Sequence, residues 1–210
     1  MTQTDYLIIL DTSGSMLAIK DQTIGNFNEQ VQVIEKESKD QDARISLVLF
    51  NNPGDDKIVL WRKPVSEIKP LTAEDYVPTG TTALYDSICT HLDSLSKEVT
   101  DTPVLVVIIT DGYENMSVSS KGDVVERIQR LKTTGRWTFV YMGANQNLED
   151  ISHDLKIPPQ NVLAYHSDAK GTREGGIIMS AGIADYARSR GSSTTTFFRA
   201  KTKGSMADRS

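Results

Sequence analysis

The chain is poor in residues that staple or anchor a protein. Its 210 residues hold one cysteine, Cys89, so no intramolecular disulfide forms and a disulfide-built secreted scaffold is excluded. The three histidines, His91, His153 and His166, are scattered without the spacing of a zinc site. No apolar stretch approaches the roughly 18 residues needed to cross a bilayer. The first apolar run, YLIIL, has no basic segment before it and is too short for a signal peptide. The expected address is therefore the cytoplasm, with no membrane partner. A G-x-S-x-G nucleophile elbow and a G-x-x-x-x-G-K-[ST] phosphate loop are both missing.

What is present is an ordinary globular composition, 38% hydrophobic and 24% charged, on a chain long enough to bury a substantial core. The net charge of −5 is unevenly spread. Residues 189–210 carry five basic side chains and one acid, Asp208, whereas the rest holds 18 basic against 27 acidic residues. An acidic body is a poor general binder of nucleic acid. From Gly191 onward the chain is rich in Ser, Thr, Gly and Lys and has no periodicity. We expect one domain over residues 1–190 and a basic tail over 191–210, disordered towards its end, with Phe197-Phe198 as its apolar anchor.

Branched apolar runs alternate with helical stripes. The runs are Tyr6 to Leu10, Ile45 to Phe50, Lys57 to Trp61, Val104 to Thr110, Trp137 to Gly143 and Val162 to Tyr165. Continuously apolar runs read as strands buried on both faces. Between them Ile24, Phe27, Val31 and Ile34, then Leu84, Ile88, Leu92 and Leu95, then Val124, Ile128 and Leu131 each mark one face of a helix, and a further helix is expected from about Arg173 to Arg188. The link Asn51 to Asp56 is too short for a crossover helix, so Lys57 to Trp61 should return antiparallel. The expected fold is α/β: a doubly wound, mostly parallel sheet with one antiparallel edge strand and helices on both faces.

In such a sheet ligands bind beyond the carboxyl ends of the strands, where the strand order reverses. Three polar clusters fall at that level: Asp11-Thr12-Ser13-Gly14-Ser15 after the first run, Gly80-Thr81-Thr82-Ala83-Leu84 opening a helix, and Thr110-Asp111-Gly112 after the fourth run. They offer carboxylates and hydroxyls but no imidazole or thiolate, a donor set that suits Mg²⁺, Mn²⁺ or, less well, Ca²⁺. Gly14 is expected to permit a tight turn that projects Asp11, Ser13 and Ser15 to one side. Thr81 and Thr82 also read as helix N-caps.

D-x-S-x-S after a first buried strand, G-T-T-A-L before a helix and T-D-G after a later strand together resemble the von Willebrand factor A-type domain and its metal-ion-dependent adhesion site. The resemblance covers about Asp5 to Tyr165. It implies that Asp11, Ser13, Ser15, Thr82 and Asp111 hold a divalent ion, with Thr81 as the fallback where the family's usual form has Gly. It further implies a non-catalytic module whose ion takes an Asp or Glu carboxylate from a partner protein. Family members inside bacterial cells often serve as adaptors beside ATPase-linked or stress-response complexes.

Two other readings compete. Asp11 and Asp111 would also suit a Mg²⁺-dependent phosphoryl hydrolase with Asp11 as nucleophile, although Ser13 stands where D-x-D phosphatases carry a second acid and no lysine falls at an obvious strand end. A scaffold with a degenerate metal site is the other. Met16, Leu17 and Tyr113 to Asn115 flank the clusters and are candidate partner contacts. Cys89 and the histidines read as structural.

Overall fold

The computed structural model describes residues 2–144 and 146–198. Among these, six strands form one sheet: β1 (Thr2–Asp11), β2 (Gln41–Phe50), β3 (Lys57–Pro64), β4 (Val104–Thr110), β5 (Trp137–Ala144) and β6 (Val162–Tyr165), in the order β3-β2-β1-β4-β5-β6. Every neighbouring pair is parallel except β2 and β3. Five α-helices accompany them: α1 (Lys20–Glu37), α2 (Leu84–Glu98), α3 (Lys121–Lys132), α4 (Leu148–Leu155) and α5 (Ala169–Arg188).

The unbroken apolar runs have the predicted cause. Along β1, Tyr6, Ile8 and Leu10 join one core with Phe27, Val31 and Ile34 of α1 and Met179, Ile183 and Tyr186 of α5. Leu7 and Ile9 point the other way, into a second core with Leu84, Ile88 and Leu92 of α2 and Val124 and Ile128 of α3. A strand that alternates between two buried faces must be apolar at every position. Each fully buried Leu or Ile contributes about 1.5–3 kcal/mol relative to exposure. Strand β3, half exposed at the sheet edge, carries Lys57, Arg62 and Lys63 instead, charges that discourage edge-to-edge pairing.

Two helices differ from the sequence expectation. Helix α4 was not anticipated, because its stripe of Leu148, Ile151 and Leu155 lasts only two turns; Asn147 caps it by accepting from the Glu149 N–H. Helix α5 starts at Ala169 rather than near Arg173, since the Asp168 carboxylate accepts from the Gly171 N–H at 2.7 Å and fixes the start there. No helix among the described residues is long and apolar enough to cross a membrane.

Phe197 and Phe198 are buried in the core under α1 and α5. The Phe197 N–H donates to Asn161 Oδ1 at 2.9 Å, and Asn161 Nδ2 donates to the carbonyls of Phe139 and Thr194. The segment before Arg199 thus packs on the body. The basic end of the tail, with Arg199, Lys201, Lys203 and Arg209, and its expected disorder lie outside the described residues.

From β1 the chain crosses through α1 to β2 on one side. From β4 it crosses through α3 to β5 on the other. The adjacent carboxyl ends of β1 and β4 therefore border the crevice where the winding reverses.

Candidate metal centre

Asp11 ends β1 and Asp111 follows the last residue of β4, and the pairing of Leu10 with Ile109 sets these ends side by side. Asp11 is 0% exposed. Its Oδ1 accepts from the Ser13 N–H at 2.6 Å, and its Oδ2 accepts from Thr110 Oγ1, also at 2.6 Å. The Tyr76 hydroxyl donates to the Asp11 carbonyl at 2.6 Å. Ser13 Oγ and Ser15 Oγ are in hydrogen-bond contact at 3.1 Å, and Ser15 Oγ donates to Asp111 Oδ1 at 2.5 Å.

Thr82 reaches the same place. A Cβ built on Gly112 would lie 3.4 Å from Thr82 Oγ1 and 3.8 Å from Ser15 Oγ, so both hydroxyls border the space that Gly112 leaves free. Thr81 faces elsewhere: its N–H and its Oγ1 both donate to Asn52 Oδ1 at 3.0 Å. The structure therefore brings Asp11, Ser13, Ser15, Thr82 and Asp111 together and turns Thr81 towards the β2–β3 hairpin.

That hairpin is the support for the middle segment. The Ala83 N–H donates to the Asn51 carbonyl at 2.7 Å, Asn51 Nδ2 donates to the Thr79 carbonyl, and on the other side the Thr82 N–H donates to Asn115 Oδ1. Gly80 adopts φ +78°, and Asn52 occupies the space a side chain there would need. The glycine that the local backbone demands is thus Gly80. Gly14 has ordinary φ and room for a Cβ, so its expected role in a tight turn is not observed. The expected caps are also absent: Ala83 is the N-cap of α2, with no side-chain cap bond.

Of the flanking residues, Met16 is buried core, which removes it from any partner surface. Leu17 and Tyr113 are 64% and 66% exposed. Glu114 is consumed internally, Oε1 accepting from the N–H groups of Met116 and Ser117 and Oε2 from the Tyr85 N–H and Ser117 Oγ. Cys89 is buried, and His91 is buried with Nε2 bonded to Asp56 Oδ2 at 2.7 Å; both are structural.

Sequence reasoning missed Ser167, whose hydroxyl donates to Asp111 Oδ2 at 3.2 Å. The sequence carries a signal for it: Ser167 lies just beyond the carboxyl end of β6, at the same level as the polar clusters after β1 and β4.

The electrostatics are one-sided. Burial pushes the Asp11 carboxyl up to about 6, aided by the charge of Asp111 and opposed by the hydrogen bonds from Thr110 and Ser13. Among the described residues no Lys, Arg or His forms an ion pair with Asp11 or Asp111. Nor do three His, Cys, Asp or Glu side chains converge on any point, so the candidate donors are two carboxylates and three hydroxyls. That all-oxygen set fits a hard divalent cation. A hydroxyl can also offer a lone pair to an ion while donating its proton to a carboxylate, as Ser15 does to Asp111.

This combination of a doubly wound sheet and an oxygen-lined crevice at its switch point defines a class, and comparison with known structures sharpens it. No protein-family model matches the sequence, and no curated protein matches it. The chain is similar to the open conformation of the pilus adhesin SpaC from Lactobacillus rhamnosus GG, with 12% identity, 88% of this chain and 30% of that one covered, and a TM-score of 0.64. It is similar to proximal thread matrix protein 1 from the mussel byssus with a zinc-occupied MIDAS motif, at 14% identity, 89% and 48% coverage and a TM-score of 0.56. It also resembles the manganese-loaded TRAP protein of Plasmodium vivax, at 18% identity, 82% and 71% coverage and a TM-score of 0.55. The chain spans less than half the length of the adhesin and the byssus protein. The fold is the von Willebrand factor A-type, Rossmann-like fold.

Proposed function

We propose that the protein is a non-catalytic, divalent-metal-dependent protein-binding module. Asp11, Ser13, Ser15, Thr82 and Asp111 hold Mg²⁺ or Mn²⁺ as a metal-ion-dependent adhesion site, and the ion takes an Asp or Glu carboxylate from a partner protein. One observation carries this reading: a wholly buried carboxylate and a second one converge with three hydroxyls, and among the described residues no cation forms an ion pair with either. A bound dication supplies that charge and an electrophilic position for an incoming carboxylate. Asp11 is braced by Thr110 and the Ser13 N–H, Ser15 orients Asp111, and Gly112 keeps the entrance clear. The net −5 of the chain makes a cation bridge the physical means of joining it to an acidic partner. The zinc- and manganese-loaded neighbours support a divalent ion. Leu17, on a short 3-10 helix over Gly14–Ile19, and Tyr113, just after Asp111, are both exposed and offer apolar contact beside the carboxylate.

Binding is favoured over hydrolysis by Asp11 because that carboxylate is buried, both of its oxygens are hydrogen-bonded, and no lysine among the described residues pairs with it. The proposed setting is an adaptor in the cytoplasm beside an ATPase-linked or stress-response complex. Calorimetric titration of Mg²⁺ and Mn²⁺ tests the site: saturable binding that disappears in Asp111→Ala is expected. Absence of binding in the unaltered protein, together with partner capture that survives EDTA, would replace this reading with the degenerate scaffold.

A further inference from the structure

Asp111 differs from Asp11 in how it is held. Asp11 lies within the sheet, gripped by a backbone N–H and a hydroxyl from the neighbouring strand. Asp111 stands one residue past β4, half-buried, and its carboxylate can rotate about a broad terminal torsion. Two serines from distant segments take its two oxygens: Ser15 donates to Oδ1 at 2.5 Å and Ser167 to Oδ2 at 3.2 Å. Two donors on different oxygens fix the carboxylate plane where one would leave it free to turn.

Ser167 is well placed to act as such a clamp, because its turn is rigid. The Asp168 N–H donates to the His166 carbonyl at 2.8 Å, and the Asp168 side chain caps α5 through the Gly171 N–H. Gly171 packs so closely on the His166 backbone that a Cβ there would collide with it. The Ser167 hydroxyl is therefore delivered by a turn that has little room to shift, and it joins the β6–α5 turn to Asp111.

We propose that Ser167 is a positioning residue of the metal site: it fixes the Asp111 carboxylate, so that the β6–α5 turn sets how tightly the ion is held. The affinity part of this proposal rests on the metal reading above, whereas the clamp itself is testable without metal. Residues that orient ligands from behind commonly govern affinity by tenfold or more. In calorimetry Ser167→Ala should weaken Mg²⁺ binding roughly tenfold, and Ser167→Thr, which restores the hydroxyl, should bring it back to within about twofold of the unaltered protein. Thermal unfolding in EDTA should match for all three, which separates positioning from folding. In EDTA, amide exchange of residues 111–116 and of the first turn of α5 should accelerate in Ser167→Ala and recover in Ser167→Thr. Unaltered affinity in Ser167→Ala, or a Ser167→Thr variant as weak as Ser167→Ala, would overturn the proposal while leaving the metal site standing. Unchanged exchange would overturn the clamp. Failure of the unaltered protein to bind Mg²⁺ would instead bring down the metal reading, and the affinity claim with it.

Discussion

Two aspartates on β1, Asp5 and Asp11, sit near opposite ends of the same strand, and both are buried to within 1%. Asp5 is closed by protein. Arg62 Nε donates to its Oδ1 at 2.9 Å, while Gln3 Nε2 and Thr102 Oγ1 supply its Oδ2. Arg62 reaches it from the edge strand with φ at +45°, a backbone conformation that is costly for a residue with a side chain. Among the described residues Asp11 receives only neutral donors, and it faces a second carboxylate. A buried charge with its counter-ion built in is a structural joint. A buried charge that meets no counter-ion among the described residues, beside more oxygen donors, fits the proposed cation site.

The largest expected effect comes from making the same change at both ends. Asp5→Asn leaves the partly buried Arg62 only its looser ion pair with Glu98, at 3.6 Å, and should destabilise the protein by about 2–4 kcal/mol in chemical denaturation. Asp11→Asn should abolish Mg²⁺ binding, yet leave the EDTA-treated protein as stable as before or more so, because a neutral amide replaces an uncompensated buried charge. Equal destabilisation by the two substitutions would break the comparison.

Ligand linkage sharpens it further. At a hundredfold excess over Kd, a ligand that binds only the folded state adds about 2.7 kcal/mol, a rise in Tm of roughly 5–10 °C for a chain this long. Mg²⁺ should produce that shift in the unaltered protein and in Asp5→Asn, and none in Asp11→Asn.

A smaller effect concerns pH. The folded-state value for Asp11, raised to about 6, means that the metal-free folded protein binds this proton more tightly than the unfolded chain does. Stability in EDTA should therefore fall as pH rises from the ordinary carboxylate range towards 6, and Asp11→Asn should remove this component of the slope in denaturation series.

The smallest contrast lies between neighbouring threonines. Thr82→Val should weaken Mg²⁺ roughly tenfold with little change in metal-free stability. Thr81→Val should lose only its bond to Asn52, about 1 kcal/mol, and change Mg²⁺ affinity less than twofold. Equal effects on affinity would contradict the assignment of Thr82 to the crevice.

Much of this was legible in the residues. Runs such as Val104 to Ile109 are apolar at every position because both of their faces are covered, and that pattern survives translation into sequence. Two of the three polar clusters directly follow such runs, so their level in the fold follows from the strands, and the third opens α2. Side-chain direction did not follow. Thr81 and Thr82 are chemically alike, and the hairpin residue Asn52, 29 positions from Thr81, decides which one faces the crevice. The demand for glycine at Gly80 rather than Gly14 has the same origin, as does the burial of Met16 beside the exposed Leu17.

The sequence by itself determined the alternation of strands and helices, the antiparallel return at β3 and the oxygen-only chemistry of the clusters, because periodicity and residue type are local properties. Only the tertiary structure decided that Arg62 closes Asp5, that no cation among the described residues closes Asp11, and that Ser167 joins Asp111. Each of those depends on a contact between segments 56 or more residues apart in the chain, or on the absence of one, and such contacts are set by how the layers pack rather than by anything a neighbouring residue records.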